Sequence, residues 1–170
     1  MAERTHETIE SGAPDPMPYM HPVMKTNYGK WVFHSHPKPG VLYHRAEGGA
    51  EIWTVKAGTQ RQMDHYTVRK LADLADQFAD GYVRFTTRSN IEYMVTDQAK
   101  VEPLIKALND NGFPVGGTAN SVSMIAHTQG WLHCDIPGTD ASGVVKALMD
   151  ELYDDFVKCE MPNRVKLSTS

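Results

Sequence analysis

The sequence predicts an α+β fold, an antiparallel sheet with helices on one face, and three observations carry that reading. Two pairs of short runs, each joined by a tight glycine-rich or polar turn, have the length and residue types of paired strands. Two further segments place apolar residues at spacings of three and four, the period of an amphipathic helix. These pieces follow one another as β-β-α-β-β-α, an order that builds hairpins into one sheet and returns each helix to the same side of it.

Each element has its own justification. Residues 1 to about 22 hold four of the ten prolines (Pro14, Pro16, Pro18, Pro22) and little apolar periodicity. Residues 1–30 are therefore expected to form an extended N-terminal arm, with Tyr19, Met20 and Met24 free to dock on a neighbour. Residues 41–46 and 51–57 read as strands joined across Glu47-Gly48-Gly49. Alternation puts Trp53, Val55 and Ala57 on one face and Ile52, Thr54 and Lys56 on the other. A helix over 66–79 follows from Val68, Leu71, Leu74, Ala75 and Phe78, with Asp64 as its cap and Gly81 just past its end. Strands over 82–86 and 91–96 flank a turn through Arg88, Ser89 and Asn90. Val101, Leu104, Ile105 and Leu108 mark a second helix that stops at Asn111-Gly112, with Pro103 in its first turns. The order is that of a ferredoxin-like unit, drawn here over residues 31–115.

After Gly116-Gly117 the pattern changes. A short apolar strand over 122–126 leads into a loop, 127–140, dense in His, Trp, Cys and Gly. A long helix is predicted over 140–158, with Val144, Leu148, Leu152 and Phe156 in phase. Residues 164–169 restart a strand, so 116–170 reads as the opening of a second, truncated domain.

Composition narrows the function. With 17 Lys+Arg against 21 Asp+Glu, the 170-residue chain carries a formal charge of −4, which argues against a nucleic-acid binder that works by neutralising phosphates. At 41% hydrophobic and 22% charged it is globular in composition. No run approaches the roughly 18–20 apolar residues needed to insert into a membrane, and the first residues lack a signal-peptide core, so a cytoplasmic location is expected. Two cysteines, Cys134 and Cys159, exclude a disulfide framework and an all-thiolate metal site built from this chain alone.

Two segments carry possible chemistry. In Arg84-Phe85-Thr86-Thr87-Arg88-Ser89-Asn90, two guanidinium groups and a hydroxyl could converge on one anionic ligand. A solvated sheet edge with ordinary arginines is the other reading. In His127-Thr128-Gln129-Gly130-Trp131-Leu132-His133-Cys134, a thiol beside imidazoles suits a metal ligand or a nucleophile, and equally a buried structural cysteine. The His34-x-His36 pair is a further conceivable ligand pair. Cys159 falls near a helix end and is expected to be inert, and the scattered methionines to fill gaps.

At these residues a family resemblance enters. The runs GYVRFTTRSNIEYMV (81–95), HTQGWLHC (127–134) and TDASGVVKALMDELYDDF (139–156) closely resemble the beta subunit of dissimilatory sulfite reductase, and the likeness extends over nearly the whole chain from Trp31. It implies a ferredoxin-like half-domain of the sulfite/nitrite reductase type, followed by the start of the domain that holds siroheme and a coupled [4Fe-4S] cluster. Cys134 matches the first of four cluster ligands, one of which also bridges to the siroheme iron. The remaining ligands are expected just beyond Ser170, so the isolated chain is expected to hold no cluster and no colour. Arg84, Thr86, Thr87, Arg88 and Asn90 match the siroheme-binding strand and turn, where cations and hydroxyls suit a cofactor with eight carboxylates. Lys56 lies where related reductases place a sulfite-contacting Arg, and a second such Arg expected near Ser121 is absent. His133, beside Cys134, is a candidate to tune the cluster or donate a proton, with a structural hydrogen bond as the alternative.

The activity implied is the six-electron interconversion of sulfite and sulfide. The partners implied are an alpha subunit in an α2β2 assembly, a small cysteine-bearing sulfur carrier, and sulfite. The rival from another class is a non-catalytic ferredoxin-like module that binds a small ligand or RNA, on the strength of Tyr82 and Phe85 in a strand. The acidic charge and the lack of a second aromatic motif weigh against it.

Overall fold

The computed structural model describes residues 15–128, 138 and 140–169. Five strands, β1 (Trp31–Lys38), β2 (Val41–Ala46), β3 (Glu51–Gly58), β4 (Val83–Phe85) and β5 (Asn90–Val95), form one sheet in the order β1-β2-β3-β5-β4. Every neighbouring pair is antiparallel. The β2–β3 turn closes with Gly49 at φ 83°, a conformation open to glycine, and its N–H donates to the Ala46 carbonyl at 3.0 Å.

Helices α2 (His65–Phe78) and α3 (Val101–Asp110) cover one face. Asp64 caps α2 as expected, its carboxylate accepting the Thr67 N–H at 2.7 Å. The core between sheet and helices takes Trp53, Val55 and Ala57 from β3, Ile91, Tyr93 and Val95 from β5, and Leu71, Leu74, Leu104 and Leu108 from the helices. Each large apolar side chain buried here contributes roughly 1.5–3 kcal/mol. The one hydroxyl among them is satisfied, because Tyr93 Oη donates to the Leu71 carbonyl at 3.0 Å.

The second unit is a parallel pair, β6 (Asn120–His127) and β7 (Glu160–Thr169), linked through α4 (Ala141–Glu151) and α5 (Tyr153–Lys158). Its seam with the first sheet runs through Gly116 and Gly117. The Gly117 N–H donates to the Phe156 carbonyl at 2.8 Å, and a Cβ on Gly116 would lie 2.3 Å from that same oxygen.

Four expectations change. Residues 31–38 form a strand that no alternation announces. It is an edge strand, bulged near both ends, where Pro37 needs no ladder partner. Within the expected arm, Met17–Tyr19 is a 3-10 turn and Pro22–Thr26 a short helix, α1, and His21 is buried against Tyr82 at a ring separation of 4.8 Å. The single helix over 140–158 is two. Leu152 leaves helical geometry at φ −100° and ψ 16°, and Asp154 and Asp155 favour a new N-terminus just after it. Strand β7 begins at Glu160, earlier than residue 164. Among the described residues no helix is long and apolar enough to cross a membrane.

Candidate functional site

Alternation along β3 and β5 turns Thr54, Lys56, Asn90 and Glu92 to the face away from α2 and α3. In register, Lys56 stands opposite Glu92, and Glu92 opposite Arg84, so three charged side chains cross β3, β5 and β4 in one row. Lys56 is 3% exposed and Glu92 5%. Lys56 Nζ donates to the Gly117 carbonyl at 2.7 Å. Burial pushes the Lys56 amine down to about 8, against the raising field of Glu92, and the cations Arg88 and Arg164 add to the lowering. Arg84 donates to one Glu92 oxygen from Nε at 2.9 Å and from a terminal nitrogen as well. Its side chain remains half exposed.

The turn after β4 is held by Thr86, whose hydroxyl accepts the N–H groups of Arg88 and Asn90, each at 3.2 Å. Ser89 takes the left-handed conformation at φ 54°. Thr87 is exposed, and the buried Asn90 donates its side-chain amide to the Ser123 carbonyl at 3.1 Å. Thr86 and Asn90 therefore fix the turn and its contact with β6.

The two arginines part company. Arg84, tied to Glu92, lines a cavity of about 240 Å³ beside His44. The Arg88 guanidinium has no hydrogen bond or ion pair among the described residues, and it lines a cavity of about 440 Å³ at the seam between the two units. Arg61, which donates to the His127 carbonyl, and Lys146, which is ion-paired with Asp150, also line that cavity, and Phe113, Met124, Ile125 and Phe156 give it apolar walls.

His133 and Cys134 lie outside the described residues. No group of three or more His, Cys, Asp or Glu that could hold a metal occurs among the described residues. Cys159 ends α5 at φ 56°, and its thiol donates to the Phe156 carbonyl at 3.4 Å. His34 is paired with His44 across the ladder, at 2.5 Å between Nδ1 atoms, and not with His36. Ser121, where an Arg was expected, is fully buried, and its hydroxyl has no partner among the described residues.

Sequence reasoning missed Glu92, although a carboxylate inside the apolar strand NIEYMV, two residues after Asn90 and on the same face, was a legible signal. It also missed Arg61 and Lys146. They reach the cavity from distant elements, and nothing local marks them.

Comparison with known proteins bears on the fold and on the family. Residues 44–111 match the nitrite/sulfite reductase ferredoxin-like half domain. The chain is 48% identical over 156 residues to the dissimilatory-type sulfite reductase subunit beta of Archaeoglobus fulgidus, covering 88% of this chain and 43% of that one. To the corresponding subunit of Nitratidesulfovibrio vulgaris it is 46% identical over 154 residues, covering 86% of this chain and 40% of the relative. The chain thus spans less than half the length of these two relatives. In fold, the crystal structure of dissimilatory sulfite reductase I superposes with a TM-score of 0.74 at 14% identity, covering 86% of this chain and 38% of that one. These likenesses favour the reductase reading over the RNA- or ligand-binding module. Over less than half of their length, the chain is similar in sequence to the dissimilatory-type sulfite reductase beta subunits, and its residues 44–111 carry the ferredoxin-like half domain of the nitrite and sulfite reductases.

Proposed function

We propose that the chain belongs to the beta side of a cytoplasmic α2β2 sulfite reductase that interconverts sulfite and sulfide by six electrons, working with an alpha subunit and a small cysteine-bearing sulfur carrier. The observation that carries this reading is the cavity at the seam, where apolar walls meet Arg88, whose guanidinium has no partner among the described residues, with Arg61 and Lys146 beside it. A carboxylate-rich macrocycle asks for that combination, flat apolar surface for the ring and cations for its edge. Siroheme therefore fits. Bound, it would supply the redox centre at which sulfur is reduced.

The residues of the chain supply the surroundings. Arg88, without a partner among the described residues, would hold a carboxylate, whereas Arg84 must share its charge with Glu92. Thr86 and Asn90 fix the turn that presents Arg88, and Thr87 offers an exposed hydroxyl beside it. Lys56 keeps a proton on Nζ up to about pH 8, and that nitrogen must leave the Gly117 carbonyl before it can meet an anion. A [4Fe-4S] cluster does not fit the donors in hand in the same way. It takes four thiolates, the chain has two cysteines, and the Cys159 thiol is turned to a backbone carbonyl. Cys134 would be one ligand among four, with His133 next to it.

The test is pigment content. In the protein co-expressed with its alpha partner, Arg88→Ala should lower siroheme absorbance per protein several-fold at unchanged subunit yield. Arg84→Ala should act more weakly. Wild-type pigment in Arg88→Ala would remove the cavity from the argument.

A further inference from the structure

The buried row Lys56–Glu92–Arg84 contains an anion to which the reading above gives no task. Residues directly opposite each other on antiparallel neighbours stand roughly 4.5–5.5 Å apart at Cβ, so Glu92 has Lys56 of β3 on one side and Arg84 of β4 on the other. Both Arg84 bonds end on the same Glu92 oxygen, Oε2, and the second oxygen takes none from it. Of the strand residues that alternation turns to this face, Glu92 is the one carboxylate among the described residues. Cations outnumber it. Arg84 stands beside it, and Arg88 and Arg164 act on Lys56 from the turn after β4 and from β7.

We infer that Glu92 is a positioning residue for anion binding: its carboxylate keeps the buried Lys56 a cation, the state in which that lysine can receive an anionic substrate such as sulfite. The inference rests on the reductase reading and adds to it a residue that touches no substrate. Packing does not call for a carboxylate here, because the rest of the strand NIEYMV is apolar apart from Asn90 and Tyr93. Arg84 does not call for one either. Its side chain is half exposed, so water can satisfy it. What a charge at position 92 adds is its effect on the neighbour that water does not reach.

An amine removed from water stays charged only where something offsets its lost hydration; otherwise it gives up the proton. The Gly117 carbonyl accepts one of the three N–H groups of Lys56, and that bond is given up when the amine turns to an anion. Arg88 and Arg164 oppose the charge, and the Cys159 thiol at the end of α5 supports it less than Glu92 does. Glu92 is therefore the support that persists while Nζ changes partners. With Glu92 in place the amine titrates at about 8, which keeps it protonated at neutral pH with a margin of about one pH unit. An opposite charge at this range is worth roughly 1–3 pH units, so losing it removes the margin.

In the isotopically labelled full chain, the NMR shift of Lys56 Nζ, assigned by its loss in Lys56→Met, is followed against pH. Its midpoint should fall by at least about one pH unit in Glu92→Gln, which keeps the shape and one accepting oxygen. In Arg84→Ala it should rise, because the carboxylate then has no second cation to serve. A residue that merely held the strands together would not move the midpoint in opposite directions in the two variants. An unmoved midpoint in Glu92→Gln overturns the inference, and if that variant does not fold, an unmoved or lowered midpoint in Arg84→Ala overturns it instead. In the protein assembled with its alpha partner, the KM for sulfite in Glu92→Gln, relative to wild type, should rise several-fold at about pH 7.5 and less at about pH 6, where Lys56 regains its proton. In a Lys56→Met background Glu92→Gln should add nothing. An equal rise at both pH values, or a further rise in the Lys56→Met background, overturns the role in anion binding. Wild-type pigment in Arg88→Ala would remove the cavity reading and leave the Lys56 midpoints where they are, so the two failures are told apart.

Discussion

Lys56 is a cation held almost wholly out of water, and its consequences are measurable apart from any cofactor. In the folded protein its amine titrates at about 8, well below the ordinary lysine value of 10.5, with burial as the main cause. Between those two pH values the unfolded chain binds a proton that the folded chain does not, so stability rises with pH across that window. Below about pH 8 the penalty is present in full. Tyr93 works in the opposite sense, because its buried phenol is raised and resists ionising above pH 10, so the clean window is pH 8 to 10. Across it, Lys56 should add about 2 kcal/mol to unfolding free energy. In Lys56→Met that rise should vanish, whatever the constant cost of leaving the Gly117 carbonyl without its donor. Denaturant curves at several pH values measure both slopes, and parallel slopes would show that the amine is not desolvated in solution. The sequence made the direction of this side chain legible, because period-two alternation in EIWTVKAG puts Lys56 opposite the apolar face. It did not make legible what the lysine faces. Glu92 lies 36 residues further along the chain, beyond α2 and β4, and the Gly117 carbonyl in a loop later still, so the environment is a tertiary fact.

At the scale of elements, the seam between α5 and the first sheet depends on two residues without side chains. Gly117 takes φ +65°, and a Cβ there would lie 2.6 Å from the Phe156 ring, while one on Gly116 would meet the Phe156 carbonyl. Strain in the left-handed region and overpacking both oppose Gly117→Ala, and together they should cost roughly 2–4 kcal/mol. Gly48→Ala, with nothing within 4 Å of the added carbon, should fall within about 0.5 kcal/mol of wild type. Thermal or denaturant unfolding of the two variants checks the contrast, and equal stabilities would mean that Phe156 is not seated against the seam. Elements with their own local signals were legible in the sequence. Helix α2 has its Asp64 cap and its apolar stripe, and β2 and β3 have the glycine turn between them. Strand β1 was not legible, because an edge strand buries little and HSHPKP shows no alternation. The break at Leu152 was hidden for the converse reason, since Leu148, Leu152 and Phe156 keep helical phase straight through it. The candidate site divides in the same way. Arg84, Thr86 and Arg88 could be placed on one turn from sequence, but the pairing of Arg84 with Glu92, which sends the two arginines to separate cavities, depends on the neighbouring strand.

Across the whole molecule the two sheets are unequal in what holds them. Residues 52–57 of β3 and all of β5 are buried, and they sit inside a five-stranded antiparallel sheet backed by two helices. Strands β6 and β7 form a parallel pair with no third strand among the described residues, and β7 alternates between exposed and half-buried positions. Two strands alone are marginal in water, and parallel ladders are the weaker kind. The contacts that tie this pair down include Asn90 to the Ser123 carbonyl, Arg61 to the His127 carbonyl, Lys56 to the Gly117 carbonyl, the Gly40 N–H to the Thr118 hydroxyl, and Phe156 against the two glycines. Opening β6–β7 therefore exposes far less apolar surface than opening β3–β5, and it should occur as a separate event of lower free energy. Native-state hydrogen exchange on the full chain should show β7 amides exchanging at least tenfold faster than those of β3 and β5, a gap of at least about 1.4 kcal/mol. Gly117→Ala should widen that gap by loosening the seam, with little change in the protection of β3. If β3 and β7 are instead protected equally, and Gly117→Ala lowers both together, the seam is strong enough to make the two sheets one cooperative unit. The cavity lined by Arg88 would then be bounded by walls that open and close only with the whole fold.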